Sequence, residues 1–338
     1  MISSLNTFRF LTALAIFGYH SLNSFLNYNH NIIIVDIAKG LAIFMTGFFV
    51  LSGFILCHVY HNYNFSNRQN LVIFYLKRLS RIYPVYAVVT IIYFAFAIKI
   101  PGDKLFQIFI TDFFMLQSFF EDTLSIGINN TTWSLSVEMF LYLLFPFILI
   151  LTKNPKYLFI FSLIFSFIIS YNFILDENRY VYANPLNRLA DFTFGIGIYF
   201  FKEKIGKLKY RNLLHISSVL MIFIICLIVK EKHMAFQFVV IPLFGIWIAC
   251  CYYSKSIFYN NEITNYLGKI SYSFYLWQFI SLAIGNIIKN SYGNISFITL
   301  FIIILLTNIL ISSYSYYVIE FKLRNFFNKK INQFKFVK

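Results

Sequence analysis

Stretches long and apolar enough to cross a lipid bilayer recur from one end of this sequence to the other, with no polar stretch long enough for a separate soluble domain. Only 12% of the 338 residues are charged, against 59% hydrophobic and 21% aromatic, which is too little polar surface to coat a soluble globule. The expected fold is an all-α integral membrane protein forming one domain over residues 1–338. The apolar runs place about ten transmembrane helices near 5–26, 40–60, 82–98, 133–152, 157–175, 187–201, 212–229, 233–253, 270–288 and 297–320. The first run lacks a small-residue cleavage site and is read as a span, not a secretory signal. Cys57, Cys226, Cys250 and Cys251 all lie in apolar segments without metal-type spacing, so they are read as packing residues and no metal is expected.

A further apolar stretch near 105–120 decides the topology. If the N-terminus is cytoplasmic and this stretch crosses, Lys202, Lys204, Lys207, Lys209 and Arg211 land outside, against the bias of basic residues toward the cytoplasm. If it is re-entrant or interfacial, 20 of the 28 basic residues fall inside, among them Arg9, Arg68, Lys77, Arg78, Arg81, Lys269 and six from Lys322 to Lys338. Asp112 and Gln117 near its middle also suit partial insertion. Both termini are therefore expected in the cytoplasm, in the cell membrane. The net charge of +15 is spread over short loops as a topological signal, and nucleic acid is not an expected partner.

Against this apolar background a few polar residues stand out. Arg9 and His20 are eleven residues apart, which on a helix is three turns plus about 20°, so both project from one face about 16 Å apart. With Arg9 at the inner interface, His20 lies past the midplane, where an ionisable group needs a polar interior or a cavity. Each has an ordinary alternative, a positive-inside anchor for Arg9 and a hydrogen-bonded packing residue for His20. In "FYLKRLSRIYP" (74–84), Arg78 and Arg81 share a helical face and could grip phosphates with forked hydrogen bonds, or serve only as topology determinants. In "TTWSLSVEMFLYLLFP" (131–146), Trp133 marks the outer interface and Glu138 lies about 7 Å deeper. Glu138 and His20 are expected to share one polar pocket in the outer half. Arg188 and Asp191, three apart in "NPLNRLADFTFGIG", are either a mutual salt bridge or acceptor contacts at the outer mouth. "GFFVLSGF" (47–54) supplies Gly47, Ser52 and Gly53 for close helix approach or for ligand access.

Taken together these stretches resemble acyltransferase family 3, multi-pass membrane enzymes that move acyl groups, commonly acetyl, onto sugars of surface or secreted molecules. The resemblance covers nearly the whole chain. It rests on the Arg9–His20 spacing, "GFFVLSGFIL", the Arg-x-x-Arg of Arg78 and Arg81 before Tyr83 and Pro84, "WSLSVEMFLYLLFP", "NRLADFTFGIG", "LGKISYSFYLW" and "SYYVIE". Two departures stand against the family pattern. Gln278 replaces a frequent histidine, and Lys322 stands where a proline often follows the final glutamate, Glu320. An extra soluble hydrolase-like domain, present in some members, is not expected within these residues.

The resemblance implies cytoplasmic acyl-coenzyme A, with acetyl the simplest acyl group, as donor substrate, and no permanently bound cofactor. The acceptor is a glycan or lipid-linked sugar. Arg78, Arg81 and Arg9 would hold the nucleotide end of the donor, and the pantetheine arm would rise along the first helix. His20 would act as general base or carry the acyl group covalently, with Glu138 orienting it, while Trp133, Arg188 and Asp191 would contact the sugar. Competing readings are a proton-coupled transporter, against which no Gly/Pro-interrupted repeat is visible, and a non-enzymatic part of a polysaccharide-assembly complex.

Overall fold

The computed structural model describes residues 2–25, 32–95, 102–126, 131–152, 154–175, 179–230, 232–293 and 295–333. Among them the secondary structure is helical, with no strand. In chain order the α-helices are α1 (Ser3–Phe25), α2 (Ile32–Gly40), α3 (Phe44–Tyr60), α4 (Arg68–Ala95), α5 (Gly102–Phe113), α6 (Glu121–Ile126), α7 (Trp133–Leu151) and α8 (Pro155–Leu175). They continue as α9 (Arg179–Ala183), α10 (Leu189–Gly206), α11 (Arg211–Val229), α12 (Gln237–Tyr252), α13 (Glu262–Tyr292), α14 (Phe297–Ser315) and α15 (Lys322–Gln333). A π-helical turn, Tyr316–Phe321, joins the last two.

Six helical stretches among the described residues are long and apolar enough to cross a membrane: Val35–Tyr60, Trp133–Leu151, Pro155–Leu175, Arg211–Val229, His233–Tyr252 and Phe297–Gln333. They coincide with six of the ten expected spans. The other four, at 5–26, 82–98, 187–201 and 270–288, fall on α1, α4, α10 and α13, with 187–188 forming the turn that leads into α10. These four helices carry the chain's Arg9, His20, Arg78, Arg81, Arg188, Asp191 and the polar face of "GKISYSFYLWQ", and pack inside the bundle instead of facing lipid. Much of the outer surface belongs to α7, α8, α11 and α14, where Phe147, Leu151, Ile164, Phe167, Leu220, Phe223, Leu306 and Leu310 are exposed as a lipid-facing helix requires.

The expected dip near 105–120 is resolved as two short elements. At 12 residues α5 is about 18 Å long, too short for a hydrocarbon core of about 30 Å. The chain then turns through Met115, whose φ of 57° lies in the left-handed region, into a 3₁₀ turn and α6. Gln117 ties this turn to the start of α7, its Nε2 donating to the Thr132 carbonyl (2.9 Å) and to the Tyr86 hydroxyl (3.2 Å). Ser118 Oγ donates to the Trp133 carbonyl at 2.5 Å. These bonds fasten the turn to α7, while Gln117 Oε1 stays buried without a partner.

α3 and α10 form the tightest helix pair. A Cβ at Gly53 would sit 2.1 Å from the Phe192 carbonyl oxygen, and one at Gly195 would sit 2.0 Å from that of Val50, so neither helix tolerates a side chain there. Gly53→Ala is expected to destabilise the protein by about 3 kcal/mol, because backbone cannot yield as a flexible side chain can. Thermal unfolding in detergent checks this. The four cysteines are buried and free.

Candidate active site

Because α1 runs unbroken from Ser3 to Phe25, Arg9 and His20 do lie on one face, and each opens into its own cavity. The cavity at Arg9 is narrow, about 90 Å³, and is lined by Arg9, Arg78 and Arg81 with Glu138, Tyr142, Ser52, Ser134 and Tyr272. The cavity at His20 is wide, about 650 Å³, and is lined by Tyr19, His20, Lys39, Trp133, Tyr182, His233 and Phe279, with Leu124 contributed by α6.

Three arginines in one low-dielectric cavity repel one another and need an anion. Glu138 supplies the one carboxylate among the cavity's lining residues, accepting a hydrogen bond from Ser52 Oγ (3.3 Å) and a short one from the Tyr142 hydroxyl. Arg78 donates through Nη2 to the Tyr60 hydroxyl (3.2 Å) and lies over the rings of Tyr60, Phe74 and Tyr142 at 5.4–5.9 Å. Its Nε is buried with no partner. The i, i+3 spacing of Arg78 and Arg81 therefore does aim both into one space. Ser52 lines that same cavity while Gly53, the next residue, makes the close helix contact.

The expected pairing of Glu138 with His20 is not found. Glu138 faces the arginine cavity and His20 the other, so Glu138 cannot orient the imidazole. A depth count along one helix gives no rotation about its axis, and the rotation of α7 follows the arginines that a buried carboxylate requires. His20 instead packs between Tyr19 (ring centroids 4.8 Å) and Phe279 (4.9 Å).

Arg188 and Asp191 are both fully buried and line neither cavity, contrary to direct contact with an acceptor. They form a 3.1 Å salt bridge, with Arg188 also donating to the Tyr182 carbonyl (2.8 Å) and Thr46 Oγ1 (3.2 Å), and Asp191 accepting from Gln237 Nε2 (2.8 Å). The guanidinium lies 4.3 Å from the Tyr182 ring and 5.7 Å from that of Trp133, two walls of the wide cavity. The pair acts from behind the wall, fixing the aromatic faces. Trp133, the third expected acceptor residue, does line that cavity.

Several residues escaped the sequence. His233 donates through Nε2 to the Lys39 carbonyl (2.7 Å), because a carbonyl can only accept, and its ring lies 5.6 Å from Tyr182 and 6.3 Å from Tyr19. It is the first residue of the expected span 233–253, and no spacing in the sequence links it to His20. Met45 and Tyr275 line both cavities and separate them. The Tyr275 hydroxyl is 2.8 Å from Ser134 Oγ, 2.9 Å from the Thr131 carbonyl and 3.8 Å from Met45 Sδ, which pins this partition to the start of α7. Tyr275 lies within "LGKISYSFYLW", but no spacing in that stretch signals a barrier.

A Haemophilus influenzae protein of uncharacterised function is 30% identical over 218 residues, 56% of this chain and 88% of that protein. The acyltransferase MdmB of Streptomyces mycarofaciens is 29% identical over 153 residues, 43% of this chain and 38% of that protein. A Staphylococcus aureus protein named as a candidate O-acetyltransferase is 25% identical over 327 residues, 84% of this chain, which spans about half (53%) of that relative's length. No solved structure matches. A family model described as an acyltransferase domain matches residues 2–317, nearly the whole chain, and this protein belongs to that acyltransferase family.

Proposed function

We propose that this chain moves an acyl group, acetyl in the simplest case, from cytoplasmic acyl-coenzyme A to a hydroxyl of a sugar in a surface or exported polysaccharide, or in its lipid-linked precursor. The observation that carries this reading is that a cationic cavity and a wide aromatic cavity holding His20 meet at one partition, Met45 and Tyr275. The arginines would take the phosphates of the donor. Its arm would follow α1 for the roughly 16 Å to His20, and the flat faces of Trp133 and Tyr182 suit the C–H faces of a sugar ring. Neutral His20 would accept the proton of the attacking hydroxyl, whose oxygen bonds to the thioester carbon. The carbon–sulfur bond then breaks and coenzyme A leaves as the thiolate, which the imidazolium reprotonates. Glu138 would keep the arginine cavity from being over-charged when the donor is absent.

The ten-span topology with both termini inside is supported by what gathers where. Arg9, Arg81, Lys269 and Arg324, all assigned inside by charge, line one cavity, whereas Lys39, Leu124, Trp133, Tyr182 and His233, all assigned outside, line another. Single cysteines introduced at 122 and 207, in a background with the native cysteines replaced, are expected to react oppositely with an impermeant thiol reagent on intact cells. Position 122 should label and 207 should not. The loop at Asn129, the neighbouring outer position expected from the sequence, lies outside the described residues.

The decisive experiment is release of free thiol from acetyl-coenzyme A by purified protein with a crude surface-glycan acceptor, together with an acyl mass gain on that glycan. A proton-coupled permease or an assembly scaffold gives neither. In the same assay Arg81→Ala is expected to raise the KM for acetyl-coenzyme A about tenfold with little change in kcat, because the contact is far from the reacting carbonyl.

A further inference from the structure

The C-terminal helix α15 lies along the Arg-x-x-Arg stretch of α4, with Ser80 Oγ 3.5 Å from Asn328 Oδ1. In "KLRNFFNKKINQ", Arg324, Asn328 and Asn332 recur every four residues and so form a single polar stripe, while Leu323, Phe326 and Phe327 occupy other faces. That stripe lines a cleft of about 310 Å³ with Lys77, Arg78 and Arg81 of α4. The lining is four cations and two amides, with no carboxylate among them. Arg81 has no ion-pair partner among the described residues, and the Nε of Arg78 is buried without one. Arg324 is held from behind by Glu320, Nη1 to Oε1 3.8 Å, a carboxylate that lines a different cavity, and the π-helical turn places Glu320 there. Arg78 and Arg81 line both this cleft and the arginine cavity, so whatever binds between α4 and α15 is continuous with the path toward His20.

A cleft lined by four cations and no carboxylate suits a multiply charged anion, and planar guanidinium forks select phosphate geometry. We propose that the α4–α15 cleft is the phosphate subsite of the donor, with Arg324 and Asn328 as residues that determine its preference for a phosphorylated donor. This rests on the reading of coenzyme A as the donor carrier. The neighbouring cavity, lined by Asn6, Asn265, Tyr272, Tyr316 and Glu320 besides its cations, is less suited to phosphate because it holds a carboxylate.

The test is binding of coenzyme A itself to the full-length protein in detergent, measured by titration calorimetry, so that no acceptor is needed. Asn328→Asp keeps the side chain's size while placing a negative charge in the cleft, and Arg324→Gln removes a positive one. Each is expected to weaken coenzyme A binding about tenfold, with a shallower salt dependence than the native protein and an unchanged melting temperature for Asn328→Asp. Native protein that binds coenzyme A, with Asn328→Asp and Arg324→Gln binding equally well, would overturn the cleft and leave the donor reading standing. Native protein that does not bind coenzyme A at all would overturn both.

Discussion

His20→Ala is expected to lower acyl transfer by about 10²–10⁴-fold while the protein inserts in the membrane at its normal level. The first half of that result follows from chemistry. A sugar hydroxyl is a poor nucleophile until its proton has a destination, and His20 is the ionisable group on α1 that lines the wide cavity. The second half follows from position, since His20 is half-buried against Tyr19 and Phe279 and carries no topological charge. The measurement is transfer per mole of protein, with expression quantified on the same membranes. Retention of most activity removes His20 from the chemistry and moves attention to His233, the other imidazole on the same wall. Mass spectrometry of native protein incubated with donor alone distinguishes direct attack from a relay, because only a relay leaves an acyl group on His20.

Breaking the Arg188–Asp191 pair is expected to be the most damaging change to stability. Asp191→Leu leaves a guanidinium with no exposed surface and no counter-charge, a loss of about 3–5 kcal/mol, enough to remove most folded protein from the membrane. Arg188→Met should lose a similar amount through the stranded carboxylate and the Tyr182 carbonyl left without its donor. The informative variant is the double one, Arg188→Met with Asp191→Leu. Replacing a buried ion pair by packed apolar groups is often neutral, so the double variant should melt well above either single one. If it does, transfer can be assayed in a folded protein, and a raised acceptor KM would report the loosened Trp133 and Tyr182 walls.

What the sequence made legible was one-dimensional. The shared face of Arg9 and His20 and the facing of Arg78 with Arg81 into one cavity follow from spacing along the chain. What it hid depends on how helices are rotated and paired. Glu138 lies on the expected helix, α7, but lines the arginine cavity and not that of His20. Arg188 and Asp191 were assigned the right element but an exposure they do not have. In both cases the answer is fixed by contacts such as Gly53 on the Phe192 carbonyl, which set how deeply α10 sinks against α3, and no periodicity within either helix encodes that. The partition is hidden for the same reason, since Met45 and Tyr275 come from helices far apart in the chain.

That partition bears on energy conservation in the cell as well as on catalysis. In the proposed topology the two cavities approach each other from opposite faces of a membrane that holds a potential, and each elementary charge driven through 100 mV releases about 2.3 kcal/mol. A continuous water column from Arg9 to His20 would let protons run down that gradient whether or not any acyl group moved. The thioether of Met45 and the ring of Tyr275 interrupt the column, so under the proposed function the element that a donor arm would pass is also the insulator. Each turnover then has to part the seal around an acyl chain that itself fills the gap, which keeps the membrane tight while chemistry passes through it.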